Sequence, residues 1–220
     1  MASSLRNKVL RRLRRGLPEA SVQGEFDADF YNDAYENEQE YRKPYRTSRY
    51  YFVWTVIADR LRRAHSRGVL EIGCGSGQLA QLMRDQKVPN YLGFDFSSAA
   101  IALASANSEQ TFVVADAKTT DLFTTHEYDT VVCTEVLEHV DFDLDILDRI
   151  PAGTRCICSV PSFPYISHVR HFETAEAVTE RYESMFDGFD VLELPMPVEE
   201  SLRYYLFEGI RNTTAPTTRS

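Results

Sequence analysis

An α/β fold built on a mostly parallel sheet with helices on both faces is what the sequence predicts, on three observations. Short β-rich runs recur at 69–73, 90–95, 111–115, 128–134 and 154–160. Helix-periodic segments at 77–87, 97–107, 142–150 and 174–186 lie between and after them, and such alternation means parallel strands covered on both sides. The last two β-rich runs, FDVLELPM and SLRYYLFEGIR, have no clear helix between them and read as an antiparallel pair completing a seven-stranded sheet.

Length and composition bound this reading. The 220 residues are 43% hydrophobic, enough for one sizeable core and too few for two full domains with linkers. The expected organisation is a basic arm and aromatic-rich helical cap over 1–54, one α/β domain over 55–211 and a disordered tail over 212–220. No run approaches the roughly 20 apolar residues that span a bilayer. The N-terminus has arginines but no apolar h-region, so a cytoplasmic protein is expected. Cys74, Cys133, Cys156 and Cys158 form no CxxC pair, which points to buried reduced thiols.

Net charge is -9, yet residues 1–16 hold six basic residues and no acidic one. The acidic body that remains argues against a general nucleic-acid-binding surface. Within the arm, Leu5, Val9, Leu13 and Leu17 recur every four residues among arginines, a basic amphipathic helix ended by Gly16 and Pro18. Such a helix suits a membrane surface, nucleic acid or a partner protein; a loosely ordered solvated arm is the plain alternative. Ten aromatic residues follow over 26–54, namely Phe26, Phe30, Tyr31, Tyr35, Tyr41, Tyr45, Tyr50, Tyr51, Phe52 and Trp54. They read either as a cap over a pocket or as the packing of an N-terminal helix onto the sheet.

In EIGCGSG, Gly73, Gly75 and Gly77 follow a strand and open a helix, where missing side chains let backbone approach a ligand closely. The spacing is not the G-x-G-x-x-G of dinucleotide enzymes, and no lysine follows as in a phosphate-binding loop. Asp95, at the end of the next strand in YLGFDF, stands about 20 residues beyond the glycines, where a carboxylate accepts hydrogen bonds from both ribose hydroxyls. A helix cap is the structural alternative for Asp95, but Ser97 fills that role better. Asp116 in VVADA repeats the placement one strand later. Two strand-end carboxylates beside a glycine turn describe a nucleoside pocket.

Taken in order, Glu71, Gly73, Gly75, Gly77, Asp95, Asp116 and CTEVLEHV resemble the motifs of class I S-adenosylmethionine-dependent methyltransferases, over about residues 50–210. The resemblance implies a Rossmann-like fold with S-adenosylmethionine (SAM) as cofactor. It implies that Gly73 to Gly77 pass under the methionine part and that Asp95 binds the ribose. Asp116 with Ala117 would face the adenine and Phe96 would lie alongside its ring, with Glu71 and Glu135 completing the cofactor-binding set.

Methyl transfer is an in-line displacement, so much of the rate comes from holding the nucleophile close and in line. A hydroxyl must also lose its proton, which calls for a general base or a metal ion. In CTEVLEHVDFD, a helix starting after the fourth strand would place Glu135, Glu138 and His139 on one face. His171 in SHVRHFET, on the loop after the fifth strand, reaches the same crevice. The combination resembles the small-RNA 3′-terminal ribose 2′-O-methyltransferases, in which E-x-x-E-H and a later histidine hold Mg2+. The matching positions are Glu135, Glu138, His139 and His171, with HFET replacing that family's aromatic signature. EVLEH equally resembles ubiquinone-type and sugar or secondary-metabolite O-methyltransferases, in which the histidine acts as a base. A metal site, a metal-free base at His139 and a structural role all stay open at this point.

Neighbouring Asp141, Asp143 and Asp145 alternate like the start of a calcium loop. Ile146 and Ala152 stand where glycine and glutamate belong, which leaves an acidic helix start favoured by the helix dipole. No Asn/Asp-Pro-Pro-aromatic motif, P-C-x-x-C pair or G-x-S-x-G elbow is present, disfavouring nucleobase N-methylation, zinc deamination and serine hydrolysis. The expected function is O-methylation of a hydroxyl on a saccharide, glycan or natural-product acceptor. RNA ribose 2′-O-methylation ranks second, and a non-catalytic nucleotide-binding scaffold third.

Overall fold

The computed structural model describes residues 24–197 and 199–213, so the basic arm and the end of the tail lie outside the described residues. Two helices come first, α1 (Ala28–Asn37) and α2 (Tyr51–Arg63), followed by strand β1 (Val69–Ile72) and helix α3 (Gln78–Asp85). Then come β2 (Tyr91–Asp95), α4 (Ser98–Asn107), β3 (Thr111–Val114), α5 (Leu122–Thr125), β4 (Thr130–Thr134) and α6 (Asp143–Asp148). The last elements are β5 (Arg155–Pro161), α7 (Ala175–Tyr182), β6 (Phe186–Met196) and β7 (Glu199–Arg211).

The strands form one sheet in the order β3-β2-β1-β4-β5-β7-β6. The first five are parallel, while β7 runs antiparallel to both β5 and β6. This is the seven-stranded, mostly parallel α/β architecture with an antiparallel final pair that the alternation of elements predicts. Central β1 is buried along its whole length, as a strand covered on both faces must be. Pro195 falls in β6, at the sheet edge, where a missing ladder donor is tolerated.

Local signals set several helix starts. The Ser97 hydroxyl accepts from Ala100 N at 3.1 Å to cap α4, as expected, and Thr174 does the same for α7 from Ala177 N at 3.2 Å. The helix expected over 174–186 stops at Tyr182. A short 3-10 turn over Glu183–Met185 follows, and Phe186 leaves it to pair with Arg211 and bury its ring beside Phe207. Tertiary burial overrides helical periodicity there.

Apolar layers cover both faces of the sheet. On one, α2 contributes Trp54, Ile57, Ala58 and Leu61 against Val69, Leu79, Met83, Val132 and Leu206. On the other, Leu70, Ile72, Phe94, Val131 and Phe207 meet Leu147 and Tyr182. Each fully buried aliphatic side chain contributes about 1.5–3 kcal/mol. The boundary expected between residues 54 and 55 therefore falls inside α2, whose two halves feed the same core layer. Asn32 pins α1 to the start of α4 through its side-chain oxygen, which accepts from Ser97 Oγ at 2.8 Å and Ala99 N at 3.1 Å.

As expected, α6 has an acidic start, with Asp143 and Asp145 in its first turn. Asp143 is fully buried and accepts two bonds of 2.7 Å from Arg181 and one of 2.8 Å from Tyr182 Oη. It therefore also anchors α6 to α7 in the interior. All four cysteines are buried and unpaired. No described helix is long and apolar enough to cross a membrane.

Candidate active site

The strand order changes direction at β1, so the connections leaving β1 and β4 diverge to opposite faces and open a crevice at their carboxyl ends. A cavity of about 290 Å³ occupies it. Its walls come from the turn after β1, the ends of β2, β3 and β4, the loop after β5, and α1.

Gly73, Gly75 and Gly77 adopt φ of +66°, +52° and +73°. A Cβ on Gly73 would stand 2.3 Å from Val136 Cγ2, and one on Gly75 would stand 2.8 Å from the Tyr35 hydroxyl. Both conformation and close approach therefore demand glycine. Asp95 braces this turn, accepting from Gly75 N at 3.0 Å and Ser97 N at 2.9 Å. Burial lifts its carboxyl to about 6. Asp95 also lines the cavity, where a carboxylate keeps acceptor capacity beyond these bonds. Phe96, Asp116 and Ala117 form the more open end; Phe96 is 37% exposed and meets Tyr31 edge-on at 5.2 Å.

Glu71 lies buried beneath the turn and accepts from Tyr91 Oη at 2.5 Å. Burial raises its pKa from 4.5 to about 8. A carboxyl raised in the folded state favours folding below its unfolded pKa, and that contribution is lost as pH rises through about 8. Glu71→Gln keeps an acceptor for Tyr91 and is expected to raise Tm by several degrees near pH 9 while changing it little near about pH 4. Thermal melts of ligand-free protein across this range check it; equal shifts at both ends would exclude ionisation as the cause.

After β4 the chain does not form the expected α-helix. Glu135 takes φ +55°, an unusual conformation for a side chain other than glycine, and a tight 3-10 turn runs over Leu137–His139. Such backbone costs of order 1 kcal/mol and concentrates at functional sites. The turn still brings the acid and base groups together. Ser159 Oγ donates to Glu135 Oε1 at 2.8 Å, and burial raises the Glu135 carboxyl to about 7. Glu138 is fully buried, with no donor group of the described residues on either carboxyl oxygen. Burial, and then the Glu135 charge, hold it well above the usual carboxylate range.

Two imidazoles complete the cluster. His139 Nδ1 stands 2.8 Å from Ser167 O and 3.0 Å from Tyr31 Oη. A carbonyl only accepts, which assigns the proton to Nδ1 and leaves Nε2 with a free lone pair, 3.7 Å from Glu138 Oε1. His168 repeats the arrangement, with Nδ1 3.0 Å from Phe163 O. Burial lowers His139 to about 4; burial and then the His139 ring lower His168 to about 3, so both are neutral at pH 7. One ligating atom each from Glu138, His139 and His168 lie within 4.8 Å of one another.

The histidine from the loop after β5 is thus His168, not the expected His171, which is exposed and outside the cavity wall. Backbone anchors explain the choice. Val169 N donates to Glu138 O at 2.8 Å, and the Arg170 guanidinium caps Leu137 O and Val140 O. Tyr31, one of the aromatic residues read as a cap, does line the cavity, whereas sequence reading missed Ser159 and His168.

A family described as a methyltransferase domain matches residues 45–191 of the chain. No curated protein matches the sequence. Among solved structures, the chain is similar to the magnesium protoporphyrin IX methyltransferase of Synechocystis PCC 6803 with bound SAM, at 16% identity over 89% of this chain and 100% of that one, with a TM-score of 0.62. It is also similar to the plantazolicin methyltransferase BpumL in complex with SAH, at 12% identity, 84% and 95% coverage and a TM-score of 0.55. A third is the methyltransferase domain of bacterial CtHen1, at 21% identity, 70% and 96% coverage and a TM-score of 0.51. Likeness at these identities shows the fold. The family match spans the glycine turn, both strand-end carboxylates and the glutamate-histidine turn, and on that ground the chain belongs to the methyltransferase-domain family, as a class I SAM-dependent methyltransferase.

Proposed function

We propose that this enzyme methylates a hydroxyl oxygen of a small natural-product or saccharide acceptor, with a divalent cation held by Glu138, His139 and His168 and flanked by Glu135. One observation carries the reading: a fully buried carboxyl without a hydrogen-bond donor among the described residues lies with two imidazoles, one ligating atom of each within 4.8 Å, and the His139 Nε2 stands 3.7 Å from it. Anchoring Nδ1–H on a backbone carbonyl is how proteins prepare histidine to ligate a metal. Two nitrogens beside carboxylates suit Mn2+, Fe2+ or Zn2+ better than the Mg2+ implied by the RNA-enzyme resemblance.

SAM fits the crevice next to this cluster. The glycine turn admits its methionine part, the open acceptor sites of Asp95 suit the ribose hydroxyls, and Phe96, Asp116 and Ala117 frame the adenine end. When bound, SAM supplies an electrophilic methyl group, and a cation at the cluster would lower the pKa of the acceptor hydroxyl. Glu135, a carboxyl bonded to Ser159 beside the cluster, is suited to take the proton. Ser159 orients it, while Tyr31 and Ser167 hold the His139 ring in place. Glu25 and Glu38 in the cavity wall disfavour a polyanion, which sets a small acceptor ahead of RNA.

Titration of chelator-stripped protein with Mn2+ is expected to show one site, lost in His168→Ala and kept in His171→Ala. Stripping is also expected to lower turnover at least about tenfold, with recovery on adding Mn2+. Unchanged turnover after stripping would favour His139 or Glu135 as a metal-free base and remove the cation from the proposal.

A further inference from the structure

The sheet order divides the cavity into two halves. The glycine turn, Asp95, Phe96 and Asp116 stand at the ends of β1, β2 and β3, and the glutamate-histidine turn follows β4. Beyond β4 come β5 and β7, so the wall they carry lies across the reacting cluster from the groups assigned to the cofactor. That wall is built from the loop after β5, the end of β6 and the start of β7. Tyr204 pairs with Pro161 at the carboxyl end of β5. Two further bonds staple the loop to β7: Ser162 N donates to Arg203 O at 2.9 Å, and Arg203 N donates to Ser162 Oγ at 2.8 Å.

The side chains on this half are flat and apolar. Phe163 meets the Tyr204 ring edge-on at 5.7 Å, and Met196 and Leu202 fill in beside them. Tyr165, 43% exposed, stands at the rim. Both Phe163 and Tyr165 touch the reacting cluster, with ring centroids 6.0 and 5.6 Å from that of His168. A ring laid on this wall therefore brings its substituent to the cluster. Polar groups of the loop are already engaged: Ser162 Oγ by Arg203 N, Phe163 O by His168 Nδ1 and Ser167 O by His139 Nδ1. A saccharide ring carries several hydroxyls, and each one buried here without a partner would cost affinity, whereas an aromatic face asks for no partner beyond another ring.

We propose that the wall of Phe163, Tyr165, Met196, Leu202 and Tyr204 is the acceptor subsite and that it takes the flat ring of an aromatic alcohol in preference to a saccharide. The inference rests on the O-methylation reading of the site and narrows its acceptor; its test is separable from that reading because it measures binding.

Protein saturated with S-adenosylhomocysteine, with a chelator present so that no metal holds the hydroxyl, is titrated by calorimetry with 2-naphthol, with its saturated counterpart decahydro-2-naphthol and with methyl β-D-glucopyranoside. The saturated alcohol has the same carbon skeleton and is the more apolar of the two, so a preference for naphthol isolates the flat ring from apolar burial alone. The wild type is expected to bind naphthol at least about tenfold more tightly than the saturated alcohol and at least about 100-fold more tightly than the glucoside. Phe163→Leu combined with Tyr165→Leu keeps the apolar bulk and should cut the naphthol preference at least about fivefold, while Tyr165→Phe should keep it. Unchanged S-adenosylhomocysteine affinity in these variants shows that they fold. No naphthol binding up to about 1 mM, equal binding of the flat and saturated alcohols, tighter binding of the glucoside, or a preference that survives the double leucine variant would each overturn the proposal. No cation and no transfer step enter this measurement, so failure of the O-methylation reading would show instead as methylation of amino analogues, with the ring preference intact.

Discussion

Asp95→Ala is expected to weaken SAM and S-adenosylhomocysteine binding at least about 100-fold. Hydrogen bonds to a charged group contribute about 1.5–3 kcal/mol each, and two ribose bonds lost together correspond to roughly two to four orders of magnitude in affinity. The carboxylate has a second task, holding Gly75 N and Ser97 N. Its removal orphans the Gly75 amide and loosens the turn that approaches the ligand. Asp95→Asn keeps one acceptor oxygen and should fall between wild type and alanine. Titration calorimetry with S-adenosylhomocysteine measures all three; alanine within a few-fold of wild type would take the ribose away from Asp95. The same carboxyl titrates near 6 before ligand binds, so affinity should also decline as pH falls below about 6 and acceptor sites are lost to protonation.

His139→Ala is expected to do the opposite: leave cofactor affinity within a few-fold and lower turnover by about 1,000-fold or more, at the upper range of a positioned acid, base or ligand. The ring is fixed at Nδ1 by Ser167 O and Tyr31 Oη, and its Nε2 faces Glu138, away from the ribose anchor. Alanine also leaves a void, so His139→Gln serves as a fuller replacement that keeps a polar group without the imidazole lone pair. Product release with saturating SAM, together with thermal melts, separates chemistry from folding. Turnover within about tenfold of wild type in both variants would place His139 outside the chemistry.

Where sequence reading succeeded, the signal was local. The strand runs, the glycine turn, Asp95 at a strand end and Ser97 as helix cap each depend on neighbours within a few residues, and the structure places all of them as read. Where it failed, the cause lay far along the chain. Asp143 is held by Arg181 and Tyr182, nearly forty residues away, which no pattern around it announces. The orientation of His168 over His171 depends on Val169 bonding back to Glu138, a contact between two loops. The tight turn at Glu135 requires a left-handed residue, which EVLEH does not advertise, since none of its residues is glycine or asparagine.

Transfer to oxygen at Glu135, Glu138, His139 and His168, as proposed, makes a prediction about which acceptors turn over. Its most direct test is S-adenosylhomocysteine release over a panel of hydroxylated aromatics and saccharides, each paired with its own O-methyl ether and its amino analogue. Release with the hydroxyl compounds, none with the ethers, and an ether methyl group in the product by mass spectrometry is the predicted result. Release with the amino analogues alone would contradict it and move the reaction to nitrogen.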